Sequence, residues 1–117
     1  MVRILAIIFG VLLIFLGVAG FLPQQFMKDG LLLGYFEANQ MHNLVHLVTG
    51  VIAILCATSY RAAKWFFRIF GIIYAIFAIL GFFWRGDFNM LMMHMNTADN
   101  FLHVVIAIIF LYLGFLA

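Results

Sequence analysis

Charge is scarce in this chain, and cysteine scarcer still. Only 9% of its 117 residues are Asp, Glu, Lys or Arg, against 68% that are hydrophobic, a balance outside the soluble globular range and inside the membrane range. The single cysteine, Cys56, has no disulfide partner and reads as a small apolar residue deep in a hydrophobic run. No Cys-x-x-Cys-His or His-Glu-x-x-His signature occurs. Nor is there a nucleophile with its base, a pair of carboxylates suited to a pocket, or soluble mass enough to build a substrate site outside a bilayer, so no enzyme class is indicated. The net charge of +2 comes without a basic patch, which argues against a nucleic-acid partner.

Where charge is missing, long apolar runs take over. Four segments, Ile4 to Leu22, Ala38 to Tyr60, Ile69 to Trp84 and Asn100 to Ala117, carry no formal charge internally. A helix needs about 20 residues to cross the hydrocarbon, with roughly 17 as a practical minimum. The third run is short by that measure, which predicts that its helix begins near Trp65 with Arg68 snorkelling back to the headgroups. The expectation is an all-α, single-domain membrane four-helix bundle.

The few charges set an orientation. Arg3, Arg61, Lys64 and Arg68 flank the N-terminus and the middle loop, where no acid occurs, whereas the other two loops mix Lys28, Asp29, Glu37, Arg85, Asp87 and Asp99. Lys and Arg are retained on the cytoplasmic side, so both termini are expected inside. The first run resembles a signal peptide in having Arg3 before it and Ala19-Gly20 near its end. It has an internal counterpart, however. Ile8-Phe9-Gly10 and Gly20-Phe21 are echoed by Ile69-Phe70-Gly71 and Gly81-Phe82 at a constant offset.

The same duplication covers the rest of the chain. Asn39-x-x-x-Asn43-x-x-His46 recurs as Asn96-x-x-x-Asn100-x-x-His103, each followed by an apolar stretch. Residues 1–60 and 61–117 therefore read as two copies of one hairpin. Each copy crosses twice, so the copies are parallel and their axis runs along the membrane normal. Asn39 and Asn96 suit helix N-caps, since their side chains satisfy backbone N–H groups that helix geometry leaves free.

Asn43, His46, Asn100 and His103 lie too far inside their helices to be caps. Helical spacing puts them on matched stripes with Gly50 and Ala107, small residues that would let helices two and four approach near the axis. Polar groups at that depth are expensive unless buried in protein, so they point to one shared internal cluster. Hydrogen-bonded packing explains the four residues, because Asn and His join membrane helices. His46 and His103 as a ligand pair for haem or a metal is the competing explanation.

Two further groups stand out. Met90, Met92, Met93 and Met95 surround His94, a soft set compatible with Cu(I), although Leu31 to Phe36 is an equally apolar counterpart without methionine. His42 and His94 align with Asp99 and Glu37 in the other copy. A His42–Asp99 ion pair is one reading, and two solvated loop residues the simpler expectation.

Asn43-Leu44-Val45-His46 with the following Gly50, and Ala98-Asp99-Asn100-Phe101-Leu102-His103 opening the last helix, resemble a family of small four-helix bacterial membrane proteins of unknown function. The likeness spans nearly the whole chain, with a more distant similarity to the DoxX-like group. It implies a bacterial inner (cytoplasmic) membrane protein and supplies no activity of its own. A DoxX-like relationship implies nearness to quinone or respiratory chemistry by analogy alone. The sequence thus leads to a non-catalytic scaffold or accessory subunit in the bilayer, with a membrane-protein partner or a second copy of itself. A redox protein binding haem or metal through His46 and His103 comes next, and a small transporter or channel third.

Overall fold

The computed structural model describes residues 1–21, 27–28, 31–32, 40–84 and 97–117. Four helices account for nearly all of them: α1 Val2–Phe21, α2 Gln40–Cys56, α3 Tyr60–Trp84 and α4 Thr97–Phe115. A two-residue antiparallel pairing, Met27–Lys28 with Leu31–Leu32, lies between α1 and α2. The fold is all-α. Two of its helices, over Val2–Ala19 and Tyr60–Phe83, are long and apolar enough to cross a membrane.

The third helix begins well before Trp65. Ser59 accepts a hydrogen bond from the Ala62 N–H through its Oγ at 3.0 Å, an N-cap that starts α3 at Tyr60 and turns the chain within residues 57–59. Arg68 also does more than snorkel. Its Nε donates to the Gly114 carbonyl at 2.6 Å, Lys64 Nζ donates to the Ala117 main-chain oxygen, and Arg3 Nε donates to the Ala57 carbonyl at 2.8 Å. Each cation thus satisfies a carbonyl that the end of α2 or α4 leaves free, and opposes the negative end of that helix dipole.

The helices associate as two tight pairs, α1 with α2 and α3 with α4, and the pairs meet through α3. Glycine sets the spacing within each pair. A methyl group on Gly50 would fall 2.6 Å from the Gly10 carbonyl oxygen and 2.8 Å from the Ile14 nitrogen, so only hydrogen fits there. Gly17 likewise lies against the backbone of Asn43 and Leu47, Gly71 against Leu111, and Gly114 against Arg68. Gly50 therefore serves the α1–α2 seam rather than an α2–α4 crossing, because Gly10 offers it the opposing small residue. Ala107 is buried as expected, at 4% exposure.

Between the pairs the packing is aromatic. Phe9 of α1 meets Phe67 of α3 and Phe110 of α4 edge-on, with ring centroids 6.4 and 5.2 Å apart, and Phe67 and Phe110 lie 5.0 Å from each other. These rings close the seam at the end of the bundle that carries Arg3, Lys64 and Arg68. Toward the other end stands Tyr74, fully buried, and beyond it the histidines.

Candidate ligand site between the hairpins

Helix periodicity builds the site. His42 and His46 are four residues apart on α2, which puts both imidazoles on one face, one turn above the other. From the first residue of α2, His46 is about 9 Å along the axis, and His103 is about 9 Å from the first residue of α4. Matched depths bring them together. The rings of His42 and His46 are 4.4 Å apart, those of His42 and His103 5.5 Å, and those of His46 and His103 5.9 Å. One nitrogen from each imidazole lies within 4.8 Å of the other two.

All three histidines are shielded from outside, with exposures of 2%, 4% and 1% for His42, His46 and His103. Tyr74 stacks on His46 at 6.4 Å and 20°, and Phe77 lies 5.9 Å from His103. The Tyr74 hydroxyl donates to Thr49 Oγ1 at 3.3 Å, and that hydroxyl donates in turn to the Val45 carbonyl at 2.7 Å. The aromatic wall is thereby fixed from α2. Among the described residues, His46 Nε2 and both ring nitrogens of His103 are buried without a hydrogen-bond partner. A neutral imidazole has one donor and one acceptor to satisfy, and each left unmade in an apolar interior costs about 1 to 3 kcal/mol.

The residues singled out in the sequence are distributed unevenly around this site. His46 and His103 come together. Asn43 and Asn100 are buried beside them in sequence, but Asn100 turns its side-chain amide onto Gly81 of α3, where any larger residue would collide with it. Asn39 and Asn96, whose capping role was expected, lie outside the described residues, as do Met90, Met92, Met93, His94 and Met95.

His42 and Asp99 correct the expectation of two solvated loop residues. Both lie in helices and are 2% and 0% exposed, because α2 and α4 begin early enough to carry them into the seam. The i, i+4 spacing of His42 and His46 was visible in the sequence and is the signal that identifies the third imidazole. Tyr74 was legible only as a break in the repeat, standing where the first copy has Leu13.

Residues 3–116 match the family described as Domain of unknown function (DUF4383), and the chain belongs to that family. This fits the resemblance to small proteins of unknown function and gives no link to the DoxX-like group. Neither the search of curated proteins nor that of solved structures found a match.

Proposed function

We propose that this is an integral membrane protein of a bacterial inner membrane, made of two parallel hairpins with both termini cytoplasmic. In this reading it holds a small ligand in the seam between the hairpins and acts as a non-catalytic accessory or scaffold subunit. The observation that carries the reading is the buried imidazole cluster. Ionisable side chains inside a membrane bundle are costly to keep and mark functional sites by default, and here several of their polar atoms have no protein partner among the described residues.

Membrane insertion by all four helices is supported by length and by surface. At 17 and 19 residues, α2 and α4 extend about 26 and 29 Å, close to the hydrocarbon thickness of roughly 30 Å. The outward faces are apolar, with Ile4, Val11, Leu55, Phe83, Phe101 and Ile108 all exposed. Apolar surface of that extent requires a lipid or protein covering. The cations gathered at one end agree with a cytoplasmic location for that end.

Packing alone explains the cluster less well than ligand binding does, since packing histidines are retained for the hydrogen bonds they make. Haem fits poorly. A bis-His macrocycle would have to lie between His46 and His103, and the His42 ring is 5.5 Å or less from both. A transport path fits poorly too, because Phe9, Phe66, Phe67 and Phe110 close the seam below Tyr74 and offer no polar step toward the cytoplasmic end.

Native mass spectrometry of gently extracted protein tests the reading. The expected result is a chain carrying added mass that disappears in His46→Ala and His103→Ala variants of unchanged helicity. A bare chain in every preparation, with the variants less stable than the parent, would leave a packing cluster instead.

A further inference from the structure

We propose that His42, His46 and His103 bind one divalent first-row transition-metal ion, with Zn2+ the member best suited to them. The inference rests on the ligand-holding seam described above and names its ligand. Two nitrogens come from α2 and one from α4, so the ion would bridge the two hairpins.

The donor set decides the class. Imidazole suits Zn, Cu, Fe and Ni, whereas Ca2+ and Mg2+ require a shell of oxygens. A tetrahedral site with Zn–N distances of about 2.0 to 2.1 Å needs its nitrogens about 3.3 Å apart. The three imidazoles have candidate nitrogens within 4.8 Å of one another, so side-chain rotations that shorten the widest pair by about 1.5 Å close the set around an ion. The i, i+4 spacing of His42 and His46 puts both imidazoles on one face of α2, with ring centroids 4.4 Å apart, and His103 approaches them from α4.

Burial and charge agree with this. His46 Nε2 and the two nitrogens of His103 lack partners among the described residues, and coordination gives an imidazole lone pair the partner that packing does not. Three neutral imidazoles leave the ion's two charges uncompensated. Asp99 lies one helical turn before His103 on α4 and is fully buried, which brings a carboxylate to the same end of the bundle. A nearby acid stabilises a cation strongly where the dielectric is low. The cations Arg3, Lys64 and Arg68 are engaged with helix ends at the opposite side of the bundle and do not oppose the ion.

The seam explains why such a site would matter. Close backbone approaches through glycine occur within the hairpins, at Gly10 with Gly50 and Gly71 with Leu111. Across the outer half of the inter-hairpin seam, the hydrogen bond described is the 3.3 Å contact of Tyr74 with Thr49. An ion ligated from both sides would hold that half closed, so binding and hairpin docking are one equilibrium.

The test uses the full chain in nanodiscs, stripped with chelator and titrated with ZnCl2 by calorimetry and with CoCl2 by visible absorption. One equivalent should bind, Co2+ should show the ligand-field bands of a tetrahedral nitrogen site, and Zn2+ should bleach them. His42→Ala, His46→Ala and His103→Ala should each weaken binding by more than the roughly 10- to 100-fold that loss of a supporting contact produces. His94→Ala should leave binding intact. Zinc-edge X-ray absorption of the parent protein should count three imidazoles, which settles the ligands even if a variant misfolds. Sulfur in that shell, or a binding loss confined to His94→Ala, would move the metal elsewhere and overturn the proposal. No metal binding, together with an organic mass adduct lost in His46→Ala, would sink the metal while leaving the ligand-holding seam. Neither metal nor adduct would sink both.

Discussion

A single substitution at His46 or His103 separates an imidazole that holds the bundle together from one that costs it stability. Among the described residues, His46 Nε2 and both ring nitrogens of His103 are buried without a hydrogen-bond partner, and such groups destabilise a fold unless something supplies the missing bonds. Replacing the imidazole with an apolar side chain of similar size removes that penalty. In metal-free protein, His46→Leu and His103→Leu are therefore expected to melt at the same temperature as the parent or higher, by about 1 kcal/mol of stability. Thermal unfolding followed by helicity in chelator measures it. A loss of 2 kcal/mol or more in both would mean that the rings hold the bundle together by themselves. Tyr74 shows the opposite behaviour, since its hydroxyl is satisfied by Thr49 and its ring fills the seam.

At the scale of the helices, the two hairpins use one packing plan with different fillings. Gly10 opposes Ile54 in the first and Gly71 opposes Leu111 in the second, positions that correspond under the sequence offsets. Basic side chains near the start of α1 and α3 reach the carbonyls ending α2 and α4 in both. Between the hairpins the fillings differ. Ala6, Leu13 and Ala53 align in sequence with Phe67, Tyr74 and Phe110, all buried, so the second hairpin supplies the bulk and the first the space. Gly50→Leu or Gly10→Leu should overpack a seam where backbone atoms leave no room, at about 1 to 3 kcal/mol or more. Val48→Leu, on an exposed face, should be neutral. Equal melting temperatures for Gly50→Leu and Val48→Leu would show that α1 and α2 do not meet at Gly50. Gly50 was legible as a small residue on a stripe. Which helix it faced was not, because a stripe gives a direction around its own axis and no partner.

Topology belongs to the molecule as a whole. Arg3, Lys64 and Arg68 gather at one end of the bundle and the histidines lie toward the other. In a Cys56→Ala background, a thiol at Ala62 should be protected from an impermeant reagent added to intact cells, and a thiol at Gly30 should be labelled. Labelling at both positions, or at Ala62 alone, would reverse or refute the cytoplasmic placement of the termini.

Composition and periodicity by themselves pointed to an apolar, all-α chain with four helices, the four that the described residues form, because a helix satisfies its backbone internally. They also marked His46 and His103 as unusual, since a repeated imidazole in an apolar run is visible without any structure. What the tertiary structure decided was company. His42 looked like a loop residue beside Asp99 in the alignment of the copies, and it became the third imidazole only when α2 and α4 were laid against the wall of Tyr74 and Phe77. Local sequence fixes which way a side chain leaves its own helix. The distance between side chains on different helices depends on how glycine sets the spacing within each hairpin and how Phe67, Tyr74 and Phe110 hold the hairpins apart, and that is settled only by packing the whole bundle.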